Sequence, residues 1–382
     1  MNLSVDQSRV LDIPRHSTIF LEGPCGSGKT TAAAARLLSL LEAGVPGDSI
    51  LILLPQRTLG NAYSKVIENS STPPGGMVSI LTAGGIARRM VELFWPLVSR
   101  EAGFLQPDAP PTFLTLETAQ YFMAKLVNPL LDEGYFESVV IDRNRLFSQI
   151  IDNLNKSAVV GFQVSEIGER LKAAWSGKPA QLRVFDDTQA CASLFRQTCL
   201  ENNLLDFSLQ VEVFWKYVWP LDGCQNFLKE TYRHIIYDNL EEDTPFAHYL
   251  IAQWIPNLDS VLLIYDENSG YRRFLGADPD GAYDLKNCCA YQLTTSSSYV
   301  MAPPIRALNT QFEQVINHQQ ISQSPDDPRL ALEFHTSRFF PQMIDWIADN
   351  TASLVFDQQV RPSASVILAP YLSDALSYGI MQ

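Results

Sequence analysis

Thr18-Ile19-Phe20-Leu21-Glu22-Gly23-Pro24-Cys25-Gly26-Ser27-Gly28-Lys29-Thr30 is the stretch that decides the architecture. A short β-type run ends in Gly-x-x-x-x-Gly-Lys-Thr. Lys29 to Ala43 then reads as a helix: Ala32 to Ala35 favour it, Leu37, Leu38, Leu40 and Leu41 line one side, and Gly44 suits the position just past its end. Strand, glycine loop and helix are the context in which this pattern cradles phosphates, which sets it apart from a Gly-rich turn before an ordinary helix. Glycines let backbone N–H groups turn inward, and the helix N-terminus adds its dipole. The loop alone implies a purine nucleoside triphosphate with Mg²⁺; ATP in particular is what the resemblance given below implies. Gly23, Pro24, Cys25, Gly26, Ser27, Gly28, Lys29 and Thr30 form its phosphate cradle, with Lys29 on the β- and γ-phosphates and the Thr30 hydroxyl on Mg²⁺.

Outward from the loop, Ser49 to Leu54 is apolar on both parities, as a strand covered on both faces requires. Pro73-Pro74-Gly75-Gly76 is a turn, Met77 to Leu81 a second buried strand, and Ile86 to Val98 a helix. From about Phe104 to Tyr232 strand signals are few. Glu117 to Leu131, Arg143 to Leu154 and Leu205 to Trp219 read as helices. Arg233 to Asp238 and Ser260 to Asp266 are then strands of one design, each ending in an acid. Asp238 is placed as the Mg²⁺-side carboxylate at the tip of a strand neighbouring the loop.

The fold class is therefore α/β: a P-loop NTPase parallel sheet with a helical insertion. Residues 1–95 and 228–290 are assigned to the ATP-binding domain and 96–227 to the insertion, a subdomain outside the sheet. The last block, 291–382, has strand-like Leu330 to Phe334 and Ser365 to Leu368 around a helical Phe340 to Ile347, with Gln319 to Pro328 as a loop.

Composition bounds the function. The 382 residues carry 28 Lys and Arg against 42 Asp and Glu, a formal net charge of −14. That excludes a wholly basic nucleic-acid coat but leaves room for a local basic groove. No apolar run approaches the roughly 18–20 residues of a spanning helix, so no membrane partner is expected. The N-terminus lacks the basic and apolar regions of a signal peptide. The six cysteines and five histidines complete no zinc spacing, and reduced thiols in the cytoplasm are the default.

Taken in order, the segments resemble superfamily 1 DNA helicases of the UvrD/Rep/PcrA/RecB type. Leu3-Ser4-Val5-Asp6-Gln7 looks like their adenine-recognition motif, which implies that Gln7 hydrogen-bonds the base. Gly23 to Thr30 is their phosphate loop. Ile50 to Asn61 and Val78 to Ala87 lie where motifs Ia and Ib lie. His234 to Pro245 resembles their Asp-Glu-x-Gln-Asp segment. Asp266 to Ala277 resembles their Gly-Asp-x-x-Gln-Ser-Ile-Tyr-x-Phe-Arg-Gly-Ala, and Leu293 to Tyr299 falls at motif IV. The resemblance implies a second RecA-like domain, of which 291–382 is the start; motifs V and VI do not follow. It implies a DNA helicase of repair or recombination, with single-stranded DNA across Thr82 to Arg89 and Phe274.

The departures concentrate on catalysis. The family glutamate that polarises the attacking water is Asn239, the γ-phosphate-sensing glutamine is Ser269, the motif IV arginine aligns with Ser298, and Thr-Phe-Thr of motif Ia is Leu54-Pro55-Gln56. An amide cannot take a proton, and losing a general base costs ~10²–10⁴ in rate; losing such an arginine costs ~10³–10⁵. Glu241 and Glu242 stand where the family has glutamine and aspartate. They join Lys29 and Asp238 as candidate catalytic residues, although their spacing argues against a direct substitution for the base. Two readings follow: a DNA-helicase-type ATPase impaired in hydrolysis and unwinding, and a catalytically silent nucleotide-binding scaffold that partners a nuclease or recombinase. A small-molecule P-loop kinase fits less well, given Asp266 to Ala277. The aromatics of Phe214 to Trp219 read as packing rather than a base-stacking platform, and Arg88-Arg89 and Arg272-Arg273 as a solvated face.

Overall fold

The computed structural model describes residues 3–68, 76–296, 298–322, 324–370 and 373–381. Most of the Pro73–Gly76 turn and Ser297 of the motif IV segment lie outside them. Residues 1–300 and 301–382 are separate compact units.

In the first unit α1 (Val5–Asp12) precedes β1 (Thr18–Gly23), α2 (Lys29–Glu42), β2 (Ile50–Leu53), α3 (Asn61–Glu68), β3 (Ser79–Leu81) and α4 (Ala83–Val98). A helical stretch follows: β4 (Thr112–Phe113), α5 (Leu116–Asp132), α6 (Arg143–Val160), α7 (Ile167–Ala174), α8 (Arg183–Glu201), β5 (Leu204–Leu205), α9 (Phe207–Val213) and α10 (Asp222–Thr231). The chain then returns through β6 (His234–Tyr237), α11 (Pro245–Trp254), β7 (Ser260–Asp266), α12 (Pro279–Asp284) and β8 (Tyr291–Thr294).

Six strands form one sheet in the order β3-β2-β6-β7-β1-β8, with every pairing parallel. Strands read as apolar on both parities are thus covered on both faces. Alternation splits each strand between two cores: Ile50, Ile52 and Leu54 pack with the α2 residues Ala33, Leu37 and Leu40, while Leu51 and Leu53 face the opposite layer. That opposite layer is the helical stretch. Phe20, Ile235, Tyr237, Val261 and Leu263 share one continuous core with Met123, Ile150, Phe195 and Phe214. The insertion is therefore built onto one face of the sheet rather than around a core of its own. Phe214 and Val218 are fully buried, which establishes packing as the role of that aromatic run.

Four expectations are corrected. Asp238 does not end a strand adjacent to β1; β7 lies between β6 and β1, so Asp266 is the acid next to the loop, in register with Gly23. Tyr291–Thr294 pairs with β1 and belongs to this sheet, so the last block begins later than 291. Leu205 to Trp219 is not one helix: Asp206 accepts hydrogen bonds from the Ser208 and Leu209 amides and starts α9 after Leu205, which lies in β5. In the second unit the described residues form α13 (Pro303–Ile316), α14 (Phe340–Ala352), α15 (Asp374–Met381) and short helical turns. Leu330 to Phe334 and Ser365 to Leu368 form no strand there, because neither segment has a strand to pair with.

Candidate functional site

β1 delivers the chain into the glycine loop at the carboxyl edge of the sheet, where open α/β sheets bind ligands. Gly28 (φ 82°) caps α2 in the left-handed region, and a Cβ there would collide with the Gln7 side-chain nitrogen. Only glycine lets the loop turn and lets α1 approach it. Gln7 is buried and fixed at both ends. Its Nε2 donates to the Gly28 carbonyl (3.2 Å), and its Oε1 accepts from the Ser4 amide (2.9 Å) in a capping box. Arg36 anchors the far end of α1 by donating to the carbonyls of Val10, Ile13 and Pro14.

Lys29 is 4% exposed. Its ammonium donates to the carbonyls of Gly23 and Pro24, both at 2.7 Å, and to Ser27 Oγ at 3.3 Å, and forms an ion pair with Asp266 Oδ1 at 2.7 Å. Ser27 Oγ meets Thr295 Oγ1 at 2.7 Å, and the Tyr299 amide donates to the Gly26 carbonyl at 3.1 Å. Ser298 lies beside Gly26. Cys25 is exposed as a residue, but partial desolvation of its thiol together with the Asp266 charge raises the thiol pKa.

Across β7, Thr30 Oγ1 donates to Asp238 Oδ2 at 2.8 Å, and the Tyr63 hydroxyl donates to the same oxygen at 2.7 Å. The Asn239 amide donates to Oδ1 at 3.0 Å. Burial raises the Asp238 pKa, and the Tyr63 and Thr30 hydrogen bonds oppose that shift. Lys29, Thr30 and Asp238 are thus brought together at the sheet edge, and Gln7 of α1 reaches the loop at Gly28, where α2 begins.

The two glutamates diverge. Glu242 holds a turn: its carboxylate accepts from the Ser269 hydroxyl and the Gly270, Tyr271 and Arg272 amides, capping the short helix Tyr271–Leu275. Glu241 is fully buried. Its Oε2 accepts from the Asp266 amide at 3.0 Å, while Oε1 has no hydrogen-bond partner. Burial, reinforced by the charges of Asp266 and Asp238, pushes its pKa up to about 7.

That shift predicts a pH dependence of stability. The unfolded carboxyl titrates near 4.5, so between about 4.5 and 7 the native state holds the extra proton and stability falls as pH rises. Glu241→Gln keeps an acceptor for the Asp266 amide and removes the titration. It is expected to flatten that decline, by up to about 3 kcal/mol at the upper end. Thermal unfolding across the window checks this; parallel curves for wild type and variant refute it.

Asp266, Tyr63 and Thr295 are site residues that sequence reasoning missed. Asp266 had a signal, since its strand repeats the design of the Asp238 strand. Nothing around Tyr63 marks it.

On the adjoining surface, Thr82 caps α4 by accepting from the Gly85 amide. Phe274 is 70% exposed. Arg88 and Arg89 are both exposed; Arg88 stacks on Phe113 and Arg89 donates to the Tyr232 hydroxyl. With its amide oxygen turned toward the guanidinium, Gln56 accepts from Arg272 (3.0 Å).

No family model matches the chain. Its sequence is distantly similar to UvrD2 helicases. Proteins described as "ATP-dependent DNA helicase UvrD2" from Mycobacterium bovis and Mycobacterium tuberculosis are 24% identical to it over 301 residues, 72% of this chain and 38% of theirs. The chain spans less than half the length of these curated relatives. No helix among the described residues is long and apolar enough to cross a membrane.

Proposed function

We propose that this chain is a UvrD-like, ATP-binding protein of the DNA helicase type, coupling a nucleotide to single-stranded DNA in repair or recombination and impaired in hydrolysis and unwinding as it stands. The observation that carries this reading is the meeting of Thr30 and Asp238 at 2.8 Å beside a glycine loop that holds Lys29. A hydroxyl and a carboxylate so placed suit Mg²⁺ delivered with a triphosphate. Mg²⁺ takes few protein ligands and keeps waters and substrate phosphates in the rest of its shell, which two such groups would suit. When bound, the ion supplies charge neutralisation at the β- and γ-phosphates. Gly26 to Thr30 hold the phosphates, Lys29 exchanges Asp266 for phosphate oxygens, and Gln7 orients the base.

The residues that would act on the attacking water and the γ-phosphate are altered. Asn239 offers no base, Ser269 is turned to Glu242, and Ser298 sits at the loop without a charge to offer. Glu241, whose carboxyl pKa is pushed up to about 7 by burial, stands behind Asp266 at the site. The second reading, a silent scaffold partnering a nuclease or recombinase, draws support from Asn239 itself. Its φ of 58° is left-handed, a conformation that asparagine adopts more readily than glutamate. The turn is built for the residue that abolishes the base.

The test is ATP turnover with and without single-stranded DNA. The expected result is turnover well below the ~10 s⁻¹ of a median enzyme, stimulated by DNA. Tight ATP binding with no DNA-stimulated turnover selects the scaffold. Absence of ATP binding refutes both readings.

A further inference from the structure

Asp238 is 2% exposed and forms no salt bridge among the described residues. A carboxylate taken out of water is costly unless hydrogen bonds replace the water it loses. Three donors do so here. Thr30 and Tyr63 both donate to Oδ2, at 2.8 and 2.7 Å, and the Asn239 amide donates to Oδ1 at 3.0 Å. A carboxylate oxygen offers two lone pairs, so the two hydroxyls take up Oδ2 while Oδ1 keeps one lone pair open.

The donors are not alike. The Asn239 amide belongs to the next residue and moves with the backbone of Asp238. Thr30 belongs to the loop, and in the reading above its hydroxyl oxygen goes to Mg²⁺. Tyr63 comes from α3, which contributes nothing to the phosphate cradle. It is fully buried, in the core that Ile52, Leu54 and Ile236 share with α2. Phenylalanine would fill the same space, so the hydroxyl adds the bond to Asp238, and a hydroxyl left unpaired there would cost more than its omission. Gly60 sets the approach of the helix: a Cβ there would come within 2.6 Å of Ile80 Cγ2, so glycine lets the start of α3 lie close on β3. The terminal torsion of aspartate is broad. With Thr30 as the one donor to Oδ2, the carboxylate would turn as that hydroxyl is drawn to the ion. A phenol locked in the core holds it still.

We infer that Tyr63 is a positioning residue for the ion: it fixes the plane of the Asp238 carboxylate and keeps it when Thr30 turns to Mg²⁺. The inference rests on the MgATP reading above. It brings α3 into the site through a residue that lies two positions beyond the Ile50 to Asn61 segment. Tyr63 acts through Asp238 and is not a catalytic residue.

The experiment is isothermal titration of ATP into wild type, Tyr63→Phe, Asp238→Asn and the double variant, in EDTA and across a Mg²⁺ series. Tyr63→Phe keeps the ring and removes one oxygen. The Mg²⁺ concentration that gives half of the ion's gain in ATP affinity is expected to rise ~10–100-fold, the usual cost of losing a partner that orients a metal ligand. ATP affinity in EDTA is expected to be unchanged, which also certifies the fold. Asp238→Asn is expected to raise the Mg²⁺ requirement as well, and Tyr63→Phe to add nothing on that background, because its effect passes through the carboxylate. A role in packing alone predicts equal losses with and without Mg²⁺, and an effect that persists beside Asp238→Asn; either outcome overturns the inference. A Tyr63→Phe protein with the wild-type Mg²⁺ requirement overturns it too and leaves the nucleotide reading standing. Absence of ATP binding by the wild type overturns the nucleotide reading, and this inference with it.

Discussion

Replacing Lys29 with alanine is expected to lower affinity for MgATP by ~10²–10³-fold. The Lys29 side chain is buried, and its ammonium is held by two loop carbonyls, Ser27 and Asp266 at the point where α2 begins. A buried charge with this many partners is worth a few kcal/mol to whatever it holds, and truncation strands the partner as well. In the variant Asp266 faces the phosphates with no cation between, so attraction becomes repulsion. Asp266→Asn is the complementary control. It leaves Lys29 in place, removes its competitor, and is expected to keep or improve affinity. Isothermal titration of the three proteins with MgATP checks both, and unfolding curves separate a lost site from a lost fold. Equal affinity for wild type and Lys29→Ala refutes the site.

Local chemistry made the loop legible. Gly28 at φ 82° and the Ala-rich start of α2 are written in consecutive residues, and apolar runs of both parities mark the buried inner strands β2, β6 and β7, whereas the Met77 to Leu81 run, expected as buried, yields the half-buried edge strand β3. Strand order was not legible, since it depends on which distant segments pair. The insertion of β7 between β6 and β1 therefore put Asp266, rather than Asp238, beside Lys29. β8 was assigned to the wrong block for a related reason. Tyr291, Gln292 and Thr294 are exposed, as on an edge strand, and lack the apolar signature of the inner strands. Tyr63 lies in a helix whose only mark is amphipathicity, and its hydroxyl finds Asp238 through packing. The roles of Glu241 and Glu242, adjacent in sequence, separate only in three dimensions: one oxygen is buried and unpaired, the other carboxylate is spent on backbone amides.

Asn239→Glu is expected to raise ATP turnover at least ~10-fold at saturating ATP and single-stranded DNA, short of the ~10²–10⁴ that a well-placed general base supplies. Two features limit the gain. The missing arginine at Ser298 is an independent loss in transition-state charge. The backbone also resists: at φ 58°, ψ 46° a side chain other than Asn, Asp or Gly costs roughly 1–2 kcal/mol, so the variant is expected to be less stable than wild type by about that amount. Asn239→Gln carries the same strain without the carboxylate, so it is expected to lose the same stability and gain no turnover. Asn239→Asp suits the backbone and carries a carboxylate, but one methylene short, and is expected to fall between. Ground-state affinity should be alike in all four proteins, because Lys29, Thr30 and Asp238 are untouched and only the transition state sees the base. A wild type already turning over at tens per second, with Asn239→Glu no faster, means that a different acid takes the proton. Glu241 is then the one to replace: it is buried behind Asp266, and its carboxyl titrates at about 7.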